Sequence, residues 1–396
     1  MASVLSDPSN SSTPNATTST TTDPAADAAR AAAAAQAGQP LDSPLAGDLT
    51  RYASDHRMAD AATRRMQKAK GWLHRLAVAC VVVSLLPIVF GALTTTEAAG
   101  MSVPDYPQTF GQNMFTYNMF QAKYDVFLEH THRLGGTLIG LLCLAFFGLA
   151  MVAEDRRWMK VVAAGVLLGV ISQGLLGGVR VLRDATSLAM AHGFTAALFF
   201  SLLVFAATAT GTRWKSLASQ IGYANNGMAN TGDQPRRLWL TKWATILATG
   251  TLMIQYLLGG ALRHHQIGRL EHAGFAAVAW SLLIVAAVVA MTTRVRWVKT
   301  AGYTLTLAAT SQVVLGLWTY ATKYGWGSYV ASYRSTEQVT SRTVHMVIGV
   351  LLMAATLNLL VRVWRTSWLL ELAEVRDNNG RDDATTTEHT PAGAIA

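Results

Sequence analysis

Four histidines at matching positions are the residues of this chain with the clearest chemical potential. Each lies four to six residues inside an apolar segment, and the set is His132, His192, His272 and His345. Ionisable side chains inside a bilayer are costly and usually functional, so four at one depth indicate a shared ligand. Two neutral imidazoles facing each other across a helix bundle can supply both axial ligands of a haem iron. A zinc or copper centre is a weaker hypothesis, because no carboxylate or thiolate cluster accompanies each pair.

A carboxylate lies one helical turn before the first of these histidines. Glu129 precedes His132 by three residues, so both side chains project from one face of a helix. The carboxylate could move protons or stabilise a developing cation, and it could equally serve only to orient the imidazole. Arg133 could pair with a haem propionate or extend to the membrane interface. Arg180 and Arg263, at the outer ends of two other segments, are further candidate cofactor-binding residues.

The stretch before this helix, about 98–125, predicts a stiff and shaped outer loop. Pro104 and Pro107 flank Asp105 and Tyr106, and prolines restrict the backbone of such a loop. We expect the loop to cover the outer mouth of the first histidine pair. Contact of Asp105 and Tyr106 with a ligand and a purely structural role are both consistent with the pattern. The six remaining histidines lie at helix ends or in tails, and no role is assigned to them.

The composition predicts an all-α integral membrane protein with eight transmembrane helices. The chain of 396 residues is 51% hydrophobic and 14% charged, whereas soluble domains carry roughly 25% charged residues. Each apolar segment is long enough to cross a hydrocarbon core of ~30 Å. The net charge of +9 is spread over short clusters between segments, which argues against nucleic-acid binding. The segments fall at 74–97, 126–152, 159–180, 187–210, 239–262, 267–292, 299–321 and 341–364.

The distribution of charge and composition predicts topology and domain organisation. Arg and Lys concentrate before the first segment and after each even-numbered one. The positive-inside rule therefore places both termini in the cytoplasm, in a multi-pass protein of the cell (inner) membrane. Residues 1–55 predict a disordered cytoplasmic tail and 367–396 a polar one. Between them we expect a four-helix half at 56–210, a cytoplasmic linker at 211–238 and a second four-helix half at 239–366.

An internal repeat supports two pseudo-symmetric four-helix bundles. A Gln or Pro followed four residues later by Gly ends each odd-numbered segment: Pro87 and Gly91, Gln173 and Gly177, Gln255 and Gly259, Gln312 and Gly316. The two positions share one helix face, where Gly allows close approach and Gln can hydrogen-bond across the interface. Ordinary helix packing is the favoured explanation for these residues, and their repetition marks two halves.

These motifs resemble the haem A synthases of the cytochrome oxidase assembly pathway. The resemblance rests on Glu129, His132 and Arg133, on Gly91 and the loop from Val103 that follows it, and on the Gln173 repeat with the later histidines. It covers about residues 72–365 and leaves out both tails. The family implies two stacked four-helix bundles that oxidise the C8 methyl of haem O to a formyl group by successive hydroxylations.

The resemblance also implies roles for the site residues. His272 and His345 would ligate a resident haem b that carries electrons, and His132 and His192 would hold haem O as the substrate. Glu129 would stand close to the reacting methyl group, as a proton acceptor or an electrostatic stabiliser. The implied partners are haem O, the lipid bilayer, an electron-donor protein and haem O synthase, with a homo-oligomer left open.

The cysteines depart from the pattern of many family members, which carry cysteine pairs in outer loops one and three. Here the stretches 98–125 and 262–268 contain no cysteine. The two cysteines of the chain, Cys80 and Cys143, both lie inside apolar segments and form no CxxC pair. A mechanism that requires the outer-loop pair cannot operate in this protein.

Two other functions compete with a haem A synthase. A di-haem b-type membrane electron-transfer protein explains the four histidines equally well, but not Glu129 or the shaped outer loop. A haem transporter would be expected to break helices at mid-membrane with Gly or Pro. Pro87 is the only proline within the predicted segments, which leaves the synthase as the favoured hypothesis.

Overall fold

The computed structural model describes residues 44–225 and 234–387, with side chains at 54–219, 234–373 and 375. Predictions for 1–43, 226–233 and 388–396, in both tails and the linker, lie outside the described residues. The chain divides into two compact units, Met1–Gln67 and Lys68–Ala396. In the first unit residues 44–67 are helical, and the second unit holds every site residue discussed below.

The described residues form nine α-helices and a short 3-10 helix, Met119–Gln121. The α-helices are α1 Pro44–Thr96, α2 Tyr124–Ala153, α3 Arg157–Leu182, α4 Thr186–Thr210, α5 Thr212–Asn225, α6 Gln234–His265, α7 Arg269–Thr292, α8 Arg296–Tyr324 and α9 Thr336–Thr387. Each predicted segment falls within one helix, apart from one or two terminal residues. Helix α1 begins inside the stretch predicted as a disordered tail, and α9 continues into the polar tail as far as Thr387. Ala, Leu and Arg occur in both extensions and favour helix.

Seven of the described helices are long and apolar enough to cross a membrane: α1, α2, α3, α4, α6, α7 and α9. Helix α8 has 29 residues, which is sufficient length, but Thr, Ser and Gln side chains lower its mean hydropathy. The predicted linker contains the additional short helix α5, Thr212–Asn225. The protein is therefore an all-α membrane protein.

Short connections set the direction of the helices. Three-residue links join α2 to α3, α3 to α4, α6 to α7, and α7 to α8, and links of this length make neighbouring helices antiparallel. The contacts of Gly260 with Met190 and of Gly316 with His345 orient the remaining helices, so that α2, α4, α7 and α9 all begin at one end of the protein, which we call the outer end. The opposite end, where α3 and α8 begin, is called the inner end.

The core consists of two clusters of buried apolar side chains. One cluster, around residues such as Phe146, is formed mostly by α1 to α4 and also includes Trp297 of α8 and Leu369 of α9. The other, around residues such as Met353, is formed mostly by α6 to α9. Helix α4 contributes to both, since Leu203 is buried in the first cluster and Phe200 in the second. The two halves are thus packed through α4.

Candidate functional site

The four histidines predicted to act together form two pairs near the outer end. The imidazole centroids of His132 on α2 and His192 on α4 are 6.2 Å apart, with ring planes at 83°. Those of His272 on α7 and His345 on α9 are 6.4 Å apart, with ring planes at 86°. All four helices start at the same end, and the histidine lies three to nine residues after the first residue of its helix.

Each imidazole rests against the glycine of one repeat motif. A Cβ built on Gly91 would lie 2.8 Å from Cε1 of His132, and one on Gly259 would lie 2.9 Å from Cε1 of His272. The corresponding distances are 3.4 Å for Gly177 and His192, and 3.2 Å for Gly316 and His345. The glycines were expected to serve ordinary helix packing. In the structure they make the space that the histidine rings occupy.

The residues that begin the repeats contact the same histidines or their helices. Nδ1 of His132 donates to the carbonyl oxygen of Pro87 at 2.7 Å, which fixes the ring and leaves Nε2 available as a ligand. Gln255 Nε2 donates to the carbonyl oxygen of His272 at 2.9 Å and lies 3.1 Å from Nδ1 of that ring. Gln312 Nε2 lies 3.3 Å from Nε2 of His345. The repeat therefore supplies both space and polar contacts for the imidazoles.

A large cavity adjoins the first histidine pair. Its volume is about 640 Å³, and its wall includes both His132 and His192 together with Glu129. This volume falls within the range of small-molecule and cofactor sites. Most of the lining comes from α1 to α4, and Met346 on α9 closes one side. The cavity is thus built mainly by the first half, with a contribution from the second.

Glu129 is buried and held in a fixed position at the wall of this cavity. Its carboxylate accepts a hydrogen bond from Arg133 Nη2 at 2.7 Å and one from the backbone N–H of Val103 at 3.0 Å. Arg133 also donates to the carbonyl oxygens of Val103 at 2.7 Å and Asp105 at 2.6 Å. The pair of Glu129 and Arg133 therefore anchors the first outer loop to α2 as well as lining the cavity.

The first outer loop covers the cavity as a shaped structure. The carboxylate of Asp105 accepts hydrogen bonds from the backbone N–H groups of Phe110 and Gly111. These bonds lower the pKa of Asp105 below its ordinary value, although desolvation, the largest single effect, acts to raise it. The ring of Tyr106 lines the cavity and lies against α3, where a Cβ at Gly178 would stand 2.6 Å from it. Asp105 shapes the loop, and Tyr106 reaches the cavity.

The other two predicted arginines both reach the cavity wall. Arg180 on α3 donates to the carbonyl oxygen of Gly100 at 3.0 Å. Arg263 on α6 crosses to α1, where it donates to the carbonyl oxygen of Ala92 at 2.8 Å and to Oγ1 of Thr96 at 3.1 Å. Its Nε atom is buried and has no hydrogen-bond partner among the described residues. Arg263, on α6, therefore places a guanidinium group at the cavity that adjoins His132 and His192.

Two further histidines have surroundings that the sequence analysis did not identify. His264, beside Arg263, also lines the cavity. His130 is fully buried, with Nδ1 at 3.2 Å from Oγ1 of Thr109 and its ring 5.3 Å from that of Tyr117. Its position two residues before His132 turns it to another face of α2, toward the loop. Helical spacing could have shown that difference, but not the partner.

The sequence can be compared with known proteins at this point. A heme A synthase of Symbiobacterium thermophilum is 33% identical over 149 residues, which are 36% of this chain and 46% of the relative. The chain therefore spans about half the length of the curated relative that it matches. Residues 74–272 match the family described as cytochrome oxidase assembly protein (COX15-CtaA). Because this match covers half of the sequence and includes the first histidine pair, the chain belongs to the family of cytochrome oxidase assembly proteins.

Proposed function

We propose that this protein is a haem A synthase, which oxidises the C8 methyl of haem O to a formyl group by successive hydroxylations. The observation that carries the proposal is the cavity in which His132 and His192 face each other beside the buried Glu129. The family assignment supports the proposal, as does a relative named heme A synthase.

The residues present fit haem: each of the two histidine pairs could hold one haem. Two imidazoles that hold one metal ion between them need ring centres about 6 to 6.5 Å apart, given metal–nitrogen bonds of about 2 Å. The observed separations of 6.2 and 6.4 Å meet this requirement. Nδ1 of His192 and Nδ1 of His345 are buried without a hydrogen-bond partner in the described structure. Each pair thus retains a nitrogen that is available for a proton or a further contact.

The surroundings of the two pairs support different roles. The first pair opens on a cavity of about 640 Å³ with a carboxylate in its wall, and we assign it to the substrate, haem O. The second pair, His272 and His345, we assign to a resident haem b. When bound there, haem b supplies one-electron redox chemistry. Arg263 lines the cavity from the second half and so lies where the two sites approach each other.

We assign Glu129 the role of proton acceptor or electrostatic stabiliser beside the reacting methyl group. Its hydrogen bonds to Arg133 and to the Val103 N–H hold the carboxylate in place before reaction, so little reorganisation is needed. Arg133, Arg180 and Arg263 all line the cavity, and guanidinium groups bind carboxylates well. We therefore assign these arginines to the propionates of the substrate.

We infer that the chain crosses the membrane eight times, as two pseudo-symmetric four-helix bundles. Helix α8 would be the eighth span. Support comes from its length of 29 residues and from Gly316, which it places against His345. We place both termini in the cytoplasm, with the protein in the cell (inner) membrane, because basic residues concentrate at the inner end.

The proposed reaction requires partners of defined chemistry. An electron-donor protein would serve the resident haem, and haem O synthase would deliver the substrate; a homo-oligomer remains compatible with this arrangement. The cysteine pairs of many relatives cannot contribute here, since Cys80 and Cys143 are both buried as free thiols. We expect no role for nucleic acid.

The proposal is tested by expressing the full chain in a host that makes haem O but not haem A, then extracting and chromatographing the haems. Haem A or its hydroxylated intermediate is expected. A host that carries the His132→Ala variant serves as the control and should accumulate haem O without haem A or its hydroxylated intermediate. Detection of haem B only, with folded protein and haem O present, would instead favour a b-type electron carrier. Visible spectra without bound haem would contradict both readings and the assignment of the histidines.

A further inference from the structure

A second cavity lies at the inner end of the described helices, far along α2, α3, α4 and α9 from the histidines. Its volume is about 470 Å³. Three cationic and three aromatic side chains line it: Arg156, Trp158, Phe205, Trp214, Lys215 and Arg365. These residues come from the turn before α3, from α3, α4 and α5, and from α9. The proposed oxidation of haem O uses none of them.

The cavity carries an excess of positive charge. Arg156 is neutralised by Glu154, which accepts from its Nε at 2.8 Å and from its Nη2 at 2.7 Å. None of the ion pairs between described side chains includes Lys215 or Arg365. Burial first, and then repulsion by Arg156, lower the pKa of Lys215 below its ordinary value. Lys215 and Arg365 thus lie near Arg156, while the neighbouring carboxylates Glu154 and Asp155 are paired with Arg156 and Lys70.

Tryptophan rings pack against two of the guanidinium groups, and Arg365 also lies 4.8 Å from the ring centroid of Trp368. The guanidinium carbon of Arg156 lies 4.9 Å from the ring centroid of Trp158, and that of Arg365 lies 5.2 Å from Trp214. The rings of Trp158 and Trp214 are themselves 5.7 Å apart. Nε of Arg365 is buried and has no partner in the described structure. One N–H donor of Arg365 therefore has no partner among the described residues.

The cationic and aromatic side chains that line this cavity favour an anion that has several acceptor oxygens and carries an apolar chain. Lys and Arg side chains bind phosphate oxygens strongly. Tryptophan rings are typical of the membrane–water interface, and Trp158 is 41% exposed there. Basic pockets between helices at this level bind the headgroups of anionic lipids. We propose that this cavity binds the phosphate of an anionic phospholipid, through Lys215 and Arg365, at the membrane face opposite the histidine pairs.

The proposal can be tested on the purified, delipidated full chain. The protein is titrated in neutral detergent with dioleoyl phosphatidylglycerol or with dioleoyl phosphatidylcholine, and bound lipid is counted by native mass spectrometry. We expect tighter retention of phosphatidylglycerol by the wild type. Each of Lys215→Gln and Arg365→Gln should weaken this binding roughly fivefold. The exposed Arg296, at the inner start of α8, offers the matched control Arg296→Gln, which should bind like the wild type.

The outcomes separate the lipid from other sources of phosphate. Equal binding of the two lipids by the wild type, or equal losses in all three variants, would overturn the proposal. The proposal would also be overturned if millimolar inorganic phosphate displaced bound phosphatidylglycerol as effectively as added phosphatidylglycerol does. That result would indicate a site for free phosphate. Size-exclusion elution and helical circular dichroism verify that each variant is folded. The comparison of two lipids on the wild type remains decisive if a variant fails to fold.

Discussion

Gly91 lies directly against the imidazole of His132, so closely that a Cβ on this glycine would stand 2.8 Å from Cε1 of the ring. Real Cβ atoms essentially never approach another atom to this distance, so any larger residue would displace the ring. The contact joins α1 to α2 at the wall of the larger cavity. The same relation between glycine and imidazole recurs at all four histidines, which makes the glycine of each repeat a positioning residue for the histidine opposite.

Gly91→Ala should therefore disturb the proposed haem O site while leaving the second histidine pair intact. The added methyl group must displace the His132 ring and so change its separation from His192, which is 6.2 Å in the wild type. We expect loss of bound haem O and of its oxidation product, with the haem b spectrum retained. Gly148→Ala is the control, because a Cβ at that position of α2 meets nothing within 4 Å. Equal haem O retention by both variants would contradict the positioning role of Gly91.

His345→Ala should abolish binding of the resident haem. The substitution removes one of the two imidazoles whose centroids are 6.4 Å apart, and of the two residues that would hold the haem only His272 would remain. The measurement is the visible spectrum of the purified protein together with its extractable haem B. His265→Ala, at an exposed position near the end of α6, should keep the spectrum of the wild type. An unaltered spectrum in His345→Ala would rule out this ligand.

Glu129→Gln should preserve haem binding and stop oxidation. The amide can still accept the hydrogen bond from the Val103 N–H, so the outer loop should stay in place, but the negative charge and the proton-accepting oxygen are lost. We expect product formation to fall by about a hundredfold or more. Asp125→Asn is the matched control, since it removes an exposed carboxylate one turn earlier on α2. Haem chromatography that shows unchanged product in Glu129→Gln would exclude a catalytic role.

Gly178→Ala should weaken substrate binding through the outer loop. A Cβ at this position would stand 2.6 Å from two atoms of the Tyr106 ring, so the ring and the loop must shift away from α3. A displaced cover should raise KM by roughly ten- to a hundredfold with a smaller effect on kcat. Gly165→Ala, where the nearest atom is Leu202 Cδ2 at 3.8 Å, should match the wild type. A change in kcat alone would contradict this view of the loop.

The sequence alone determined the membrane character, the helices and the residues to consider. Low charge and apolar segments of sufficient length leave few alternatives to membrane helices. The spacing of His132 and His192 from the ends of their segments placed them at similar depths, because a helix has a fixed rise per residue. The number of residues between a side chain and the end of its segment gives its position along the axis of that one helix. These local patterns predicted where the histidines lie and which carboxylate accompanies them.

Only the tertiary structure decided which side chains meet. Whether Gly91 faces a ring or a helix backbone depends on the rotation of α1 against α2, and no pattern within either helix specifies that rotation. The same holds for Arg263, which leaves its own half to reach Ala92 on α1, and for the packing of α9 that brings Arg365 to Trp214. These contacts join residues far apart in the sequence. They arise from the packing of whole helices against one another. The periodicity of residues within one segment does not specify that packing.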